Sequence, residues 1–436
     1  MTITSAILAV LALGILVFVH ELGHFIAAKA CGIYVESFSL GFGPKLLTYK
    51  YGETEYCISL IPLGGYVDLH RMFKEVDAIE GKESAAFFNK SYPKKIFVIT
   101  AGVLFNAIFA VVLISAVYML GYEAYSPVAG IVKDGGTAQL AGFKSGDKIL
   151  SVEERTIRSW EHFLESIKGD KPLSIVVERA GAEKLLSLVP KMTDVTLLTG
   201  DVVRAPDLDM SVRISPVIGA ISTGLPAEKA GLHTGDVITS INGVKINDWQ
   251  QIPAIVRGNA DKPLSLRYVR AGAEHSVTIT PIVPSGMENA IIGVTTKGGD
   301  LKLRENPAKA LILGAKRAGE ITHVILSSLR QLIAGKVSRD NIGGPIVILQ
   351  EGAKSAKNGY ENYLLFIALI SINLAILNIL PIPVLDGGYV ALFTWEALRR
   401  KTIEPRIRES GQAVGMALLC ALMVFTFYND IARFLR

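Results

Sequence analysis

Four stretches of this chain stay apolar for about the 20 residues that a helix needs to cross a bilayer. They run from Thr2 to His20, from Ile96 to Leu120, from Tyr363 to Leu385 and from Gly411 to Asn429. Each predicts a membrane helix. The stretch from Asn306 to Asn341 has helical spacing of its apolar positions, but Lys316, Arg317, Glu320 and Arg330 interrupt it. It predicts an interfacial or packing helix rather than a fifth span. Two other regions show a shorter period. Residues 29–95 carry alternating or apolar pieces around Gly and Pro breaks, as strands do, and residues 124–298 alternate short β-rich pieces with short helical ones. The expected organisation is a first span over 1–28, a loop with a β-sheet over 29–95, and a second span over 96–120. Two soluble domains follow over 124–210 and 211–298, then an amphipathic region over 299–360. A third span over 361–387, a basic loop over 388–410 and a fourth span over 411–430 complete the chain.

Composition agrees with a membrane protein. Half of the 436 residues are hydrophobic and only 19% are charged, with a mean hydropathy of +0.39. The net charge of +5 suits an anionic lipid surface but is too weak and dispersed for nucleic acid. Cys31, Cys57 and Cys420 have neither metal-type spacing nor a disulfide framework. The first apolar stretch lacks the basic start of a signal peptide and is expected to be a retained anchor. Lysine and arginine set the orientation. Lys94-Lys95 abuts the second span, and Arg399-Arg400-Lys401 with Arg406 and Arg408 follows the third, so both loops are expected to be cytoplasmic and the central region outside.

That central region repeats. Ala141-Gly142-Phe143-Lys144-Ser145-Gly146-Asp147 matches Ala230-Gly231-Leu232-His233-Thr234-Gly235-Asp236 at an offset of 89, and Trp160 matches Trp249. Arg179-Ala180-Gly181-Ala182-Glu183 matches Arg270-Ala271-Gly272-Ala273-Glu274 at an offset of 91. This is a tandem duplication, and the Ala-Gly-x-x-x-Gly-Asp turn resembles that of PDZ domains in bacterial periplasmic proteases. Such domains capture extended peptide ends by strand addition. The second copy offers a receiving loop at Ile291-Ile292-Gly293; the first shows no equivalent near Val202-Val203.

At the end of the first apolar stretch stands His20-Glu21-Leu22-Gly23-His24. Residues four apart share a helix face, so two imidazoles can meet one metal with a glutamate beside them, the pattern of a zinc peptidase. The third span ends in Asn378-Ile379-Leu380-Pro381-Ile382-Pro383-Val384-Leu385-Asp386-Gly387-Gly388. Prolines open a helix there, which membrane-depth backbone tolerates only inside protein or beside a wet cavity, and Asp386 becomes available as a third ligand. Asn106, in the second span, is expected to be helix-packing glue.

Together these motifs resemble the site-2 protease family of intramembrane zinc metalloproteases, and the paired PDZ-like domains narrow the likeness to the regulator of sigma-E type. The resemblance implies an α-helical membrane protein. Its four transmembrane helices would form a metalloprotease core, with a membrane-associated β-sheet in the first cytoplasmic loop and two periplasmic PDZ-like α/β domains. It implies Zn2+ on His20, His24 and Asp386, Glu21 as general base, and Asn378 as a donor to substrate or oxyanion. Asn373 is a second candidate for substrate contact. The sheet, with Gly41 and Gly43 in one strand and Gly64 and Gly65 in another, would pair with unwound substrate, and Asn341-Ile342-Gly343-Gly344-Pro345 is a further break on the substrate route. The implied setting is a bacterial inner membrane. The implied substrates are the membrane segment of a trimmed anti-sigma factor and remnant signal peptides. The PDZ pair would exclude untrimmed substrates by size or read the new peptide C-terminus. A non-catalytic PDZ receptor is the alternative, and the intact ligand set argues against it.

Overall fold

The computed structural model describes residues 3–70, 72–73, 83–197, 200–284, 287–335 and 343–435. Of the expected break at Asn341 to Pro345, Asn341 and Ile342 lie outside these residues. The chain divides into two compact units, Met1–Gly121 with Arg304–Arg436, and Tyr122–Leu303.

The first unit begins with helix α1 (Ile3–Ala30). Strands β1 (Val35–Tyr51) and β2 (Thr54–Leu69) follow and pair over most of their length. Ser37–Leu40 is flanked on one side by Tyr56–Ile58 and on the other by Gly65–Asp68. One end of this sheet joins a buried cluster with Ala27, Ile33, Phe87 and Phe393. The other end leaves Leu46, Leu47, Tyr49, Ile58, Leu60 and Ile61 exposed, an apolar patch suited to lipid. Helix α2 (Tyr92–Leu120) starts with Pro93 in its first turn, where no backbone donor is lost, and stops at Gly121.

The second unit opens on β3 (Tyr122–Ala124), followed by the first copy. This comprises β4 (Ala129–Val132), α3 (Thr137–Leu140), β5 (Lys148–Val152), β6 (Arg155–Thr156), α4 (Trp160–Ser166), β7 (Leu173–Arg179), β8 (Ala182–Leu188), β9 (Lys191–Thr196), β10 (Val202–Asp207) and β11 (Met210–Val212). The second copy comprises β12 (Ile218–Ile221), α5 (Pro226–Lys229), β13 (Val237–Ile241), β14 (Val244–Lys245), α6 (Gln251–Arg257), β15 (Leu264–Arg270), β16 (Ala273–Ile279) and β17 (Val294–Thr296). Both are PDZ-like. Their four-stranded sheets run β6-β5-β7-β8 and β14-β13-β15-β16, and each adds a two-stranded piece, β11 with β4 and β12 with β17. The hairpin β9–β10 is longer than its counterpart in the second copy, which pairs at the single antiparallel bridge of Ile282 with Ile291. Finally β18 (Leu301–Leu303) pairs antiparallel with β3, so the chain leaves this unit beside its point of entry.

The duplicated Gly-Asp and Arg motifs meet as latches. Arg179 Nε and Nη2 donate to the Asp147 carboxylate at 2.6 Å each, and Nη2 also donates to the Gly142 carbonyl. Arg270 repeats this on Asp236 and Gly231. Each aspartate is buried, and its partner arginine is a planar fork that satisfies both oxygens.

Back in the first unit, Asn306 caps α7 (Pro307–Ile333) by accepting from the Lys309 N–H. Ala310, Gly314 and Ala318 bury one face of this helix, and Gly314 lies against Ser115 of α2. It is amphipathic and is not among the helices apolar enough to cross a membrane. Among the described residues those are four: Ile7–Ala30, Tyr92–Leu120, Tyr360–Ile379 and Pro405–Ala432. Helix α8 (Pro345–Lys357) precedes α9 (Tyr360–Ile379). The third apolar run is not one helix to its end. It breaks at Leu380–Leu385 and restarts as α10 (Asp386–Arg399), before α11 (Pro405–Leu435).

Candidate active site

His20 and His24 lie one turn apart on α1, their rings 4.8 Å between centroids. Their Nε2 atoms are 3.2 Å apart. Asp386, the first residue of α10, brings Oδ2 to 3.2 Å from His20 Nε2 and 3.5 Å from His24 Nε2. These three donors come from two helices and meet nowhere else. For donors about 2.05 Å from a tetrahedral zinc, the donor-to-donor edge is about 3.3 Å, so the three separations of 3.2, 3.2 and 3.5 Å fit one face of that tetrahedron. Asp386 Oδ2 is buried with no hydrogen bond among the described residues, as a ligand atom awaiting its ion would be.

The break before Asp386 is built for this placement. Pro381 and Pro383 end the helical ladder, and Val384 sits at φ +88°, a costly conformation for a β-branched residue. The two glycines after Asp386 are required by contact. A Cβ on Gly387 would come within 2.1 Å of the Ile379 carbonyl, and one on Gly388 within 2.3 Å of the Ile382 carbonyl.

Helix α2 supplies what orients the imidazoles. His24 Nδ1 donates to the Val98 carbonyl at 2.9 Å, which leaves Nε2 bare for a metal. One turn on, Gly102 faces both rings. A Cβ there would lie 2.4 Å from His24 Nε2 and 2.7 Å from His20 Cε1. Another turn on, the fully buried Asn106 amide lies 3.4 Å from His20 Nδ1, and its Oδ1 has no partner among the described residues. With a metal on Nε2, His20 would carry its proton on Nδ1, and a half-turn of the Asn106 amide would give that proton an acceptor. The contact joins α2 to α1, as the sequence expectation of helix-packing glue has it, and it does so at an imidazole of the candidate site. The signal was present as Val98, Gly102 and Asn106, spaced four apart on one face.

A cavity of about 460 Å3 opens here, lined by His20, Glu21, His24, Asn106, Asn378 and Asp386 and by the sheet residues Phe42 and Gly64–Val67. The Glu21 carboxylate faces the Val67 backbone of β2, and both line the cavity. Gly65 approaches so closely that a Cβ would sit 2.8 Å from the Ser39 carbonyl and 3.0 Å from Glu21 Cγ. Of the expected sheet glycines, Gly64 and Gly65 line the cavity. Gly41 and Gly43 do not; both have positive φ and frame Phe42, which does. Asn378 Nδ2 lies 3.3 Å from His20 Nε2, whereas Asn373 is absent from the lining. Ile291, Ile292 and Gly293 belong to the second unit, where they lead into β17.

Two histidines, a glutamate between them and a carboxylate from another helix are the equipment of a metallohydrolase, here set within helices long and apolar enough for a membrane. The class is a membrane-embedded metallopeptidase. The chain belongs to peptidase family M50, whose model matches residues 8–422. It is 34% identical to the protease RseP of Yersinia pestis, over 97% of each chain. It is 32% identical to the regulator of sigma-E protease RseP of Escherichia coli K12, again over 97% of each. A Neisseria meningitidis relative whose name describes a zinc metalloprotease is 34% identical over 100% of this chain and 99% of its own.

Proposed function

We propose that this chain cuts a peptide bond inside the membrane segment of a single-span protein that another protease has already trimmed, with His20, His24 and Asp386 as zinc ligands and Glu21 as general base. The observation that carries this is the convergence of three donor atoms at 3.2–3.5 Å inside a cavity that also reaches a sheet edge. When bound, zinc is a Lewis acid and makes an attached water acidic near neutral pH. Glu21 takes a proton from the attacking water and returns it to the leaving amine. Asn378, its amide no longer needed at His20 Nε2, donates to the oxygen of the scissile carbonyl. The Gly64–Val67 edge receives the unwound substrate backbone as an added strand, which replaces the hydrogen bonds that the substrate helix gives up. Asn373, away from the cavity, supports α9 or an outer part of the substrate.

The substrate proposed first is an anti-sigma factor in a sigma-E-type envelope stress response, consistent with the names of the relatives. Remnant signal peptides are a second class. The enzyme sits in a bacterial inner membrane among lipids, with the cavity toward the cytoplasm and the PDZ-like pair in the periplasm, where the second copy receives peptide C-termini through Ile291–Gly293. The test is cleavage of a single-span reporter in membranes, trimmed and untrimmed. Glu21→Gln keeps all three proposed ligands and is expected to lower the rate roughly 10²–10⁴-fold. Equal cleavage by both proteins would remove Glu21 from the mechanism.

A further inference from the structure

A second cavity, of about 220 Å3, lies where the first turn of α2 meets the C-terminal end of α10. Tyr92, Lys95, Phe393, Glu396, Arg400 and Lys401 line it. It shares no lining residue with the cavity at His20 and Asp386. Beside it the Tyr92 hydroxyl and Thr394 Oγ1, 3.0 Å apart, join the two helices.

Among the described residues that line it, three cations face one carboxylate. Glu396 spends one oxygen of that carboxylate on the Ile403 N–H at 2.9 Å. Lys95 is held by rings: its ammonium lies 4.9 Å from the centre of Phe88, 5.3 Å from Phe393 and 5.9 Å from Phe87. Aromatic faces position a cation without neutralising it. Arg400 closes α10 at φ +52°, in the left-handed conformation that glycine usually supplies at this place. A glycine would end the helix with less strain; the arginine ends it and brings a cation to the cavity wall. The start of α2 adds to the same field. Its N-cap Ser91 makes no side-chain hydrogen bond to the first turn, so the positive end of the helix is uncapped.

We infer that this cavity binds the phosphate headgroup of an anionic phospholipid, which clamps the start of α2 to the end of α10. The depth is right for a headgroup. The cavity stands at the first turn of a span, and the nearby Tyr92 and Trp395 are exposed, as aromatic residues at a membrane surface are. Basic pockets between membrane helices at this level suit anionic headgroups. The Arg400 fork matches two phosphate oxygens, and Lys95 and Lys401 act as point charges. A zwitterionic lipid would bring its own cation into a site that is already positive. The clamp joins two elements of the candidate active site. Helix α2 carries Val98, Gly102 and Asn106 against the imidazoles, and α10 begins with Asp386, about 20 Å from Arg400 along the helix. The inference depends on the membrane placement of the spans and not on the proposed chemistry.

The test is native mass spectrometry of the full chain in neutral detergent, titrated with dioleoylphosphatidylglycerol or with dioleoylphosphatidylcholine. Wild type is expected to retain one phosphatidylglycerol, half-occupied at about a tenfold lower concentration than phosphatidylcholine. Arg400→Gly with Lys401→Gln, which keeps a residue suited to positive φ, is expected to erase that preference. Glu396→Gln keeps an acceptor for the Ile403 N–H and removes the negative charge. It is expected to tighten phosphatidylglycerol by about threefold, a gain that misfolding cannot produce, while Glu409→Gln, outside the cavity, leaves it unchanged. Equal retention of the two lipids by wild type would overturn the inference. So would an unchanged preference in the Arg400 and Lys401 variant, or an equal loss from Lys29→Gln with Arg406→Gln, which removes two cations that do not line the cavity. Displacement of the lipid by millimolar sodium phosphate would assign the site to a free anion and overturn the lipid as its occupant.

Discussion

At the residue scale, the convergence of His20 and His24, with Glu21 beside them, was legible because residues four apart share one face of a helix. Asp386 was legible because prolines at membrane depth need a reason. Asn106 was not, since one asparagine in an apolar span reads the same whether it joins two helices or orients an imidazole. Its contact with His20 Nδ1 joins two helices and also meets the imidazole, so variants are needed to separate the two roles. Replacing Asn106 with leucine keeps the volume and removes the acceptor, and is expected to lower zinc affinity or cleavage by about 10–100-fold, the usual loss when a ligand's supporting partner goes. Asn106→Asp keeps an acceptor and should stay close to wild type. Zinc content by elemental analysis and the cleavage rate together check this. Equal loss in both variants would return Asn106 to a packing role.

At the element scale, the strand edge beside Glu21 and the latches of the two copies make separate predictions. Gly65→Val places a side chain against the Ser39 carbonyl and Glu21 Cγ. It is expected to stop reporter cleavage while zinc content stays at one per chain, because the proposed ligands lie on α1 and α10. Loss of zinc as well would mean that the sheet supports the ligands rather than the substrate. In the latches, burial pushes the Asp147 carboxyl up, but Arg179 and the Lys144 N–H outweigh it and leave the group below its ordinary range; Asp236 behaves the same way with Arg270 and the His233 N–H. A depressed carboxyl stabilises the fold fully above the unfolded value, near pH 4, and loses that contribution as pH falls through the folded value. Asp147→Asn is therefore expected to destabilise the first copy by about 2–3 kcal/mol at pH 7, with a smaller deficit near pH 3. Hydrogen exchange within that copy of the full chain reads both numbers. A deficit that does not shrink in acid would assign the loss to packing. These latches were visible in the sequence only as matched words, Gly-Asp and Arg-Ala-Gly-Ala-Glu; which aspartate met which arginine needed the register of β5 with β7 and of β13 with β15.

At the scale of the whole molecule, the duplication could be read from sequence until its register changed. The offset between copies is 91 at Leu188 and Ile279 but 84 at Leu208 and Ile292, so the first copy carries seven extra residues (91 − 84 = 7), in the region of the β9–β10 hairpin. A search at constant offset passes over the match of Leu208 with Ile292 for that reason. At the same scale, each unit closes the two connections on its own side. β3 pairs with β18 at one side of the junction, and the Glu305 N–H donates to the Tyr118 carbonyl at the other. Residues 122–303 are thus an insertion whose ends meet, and the proposed zinc ligands, base and cavity all lie outside it. Replacing 122–303 with a short Gly/Ser linker should leave zinc binding intact and cleavage of the trimmed reporter close to the parent rate. If the PDZ-like pair is what rejects untrimmed substrate, the shortened protein should cut trimmed and untrimmed reporters alike. If it still refuses the untrimmed one, the selection belongs to the membrane unit itself, and the sheet edge at Gly64–Val67 becomes the element to alter next. A protein that cuts neither reporter yet still binds zinc would show that the insertion contributes to substrate entry rather than to its exclusion.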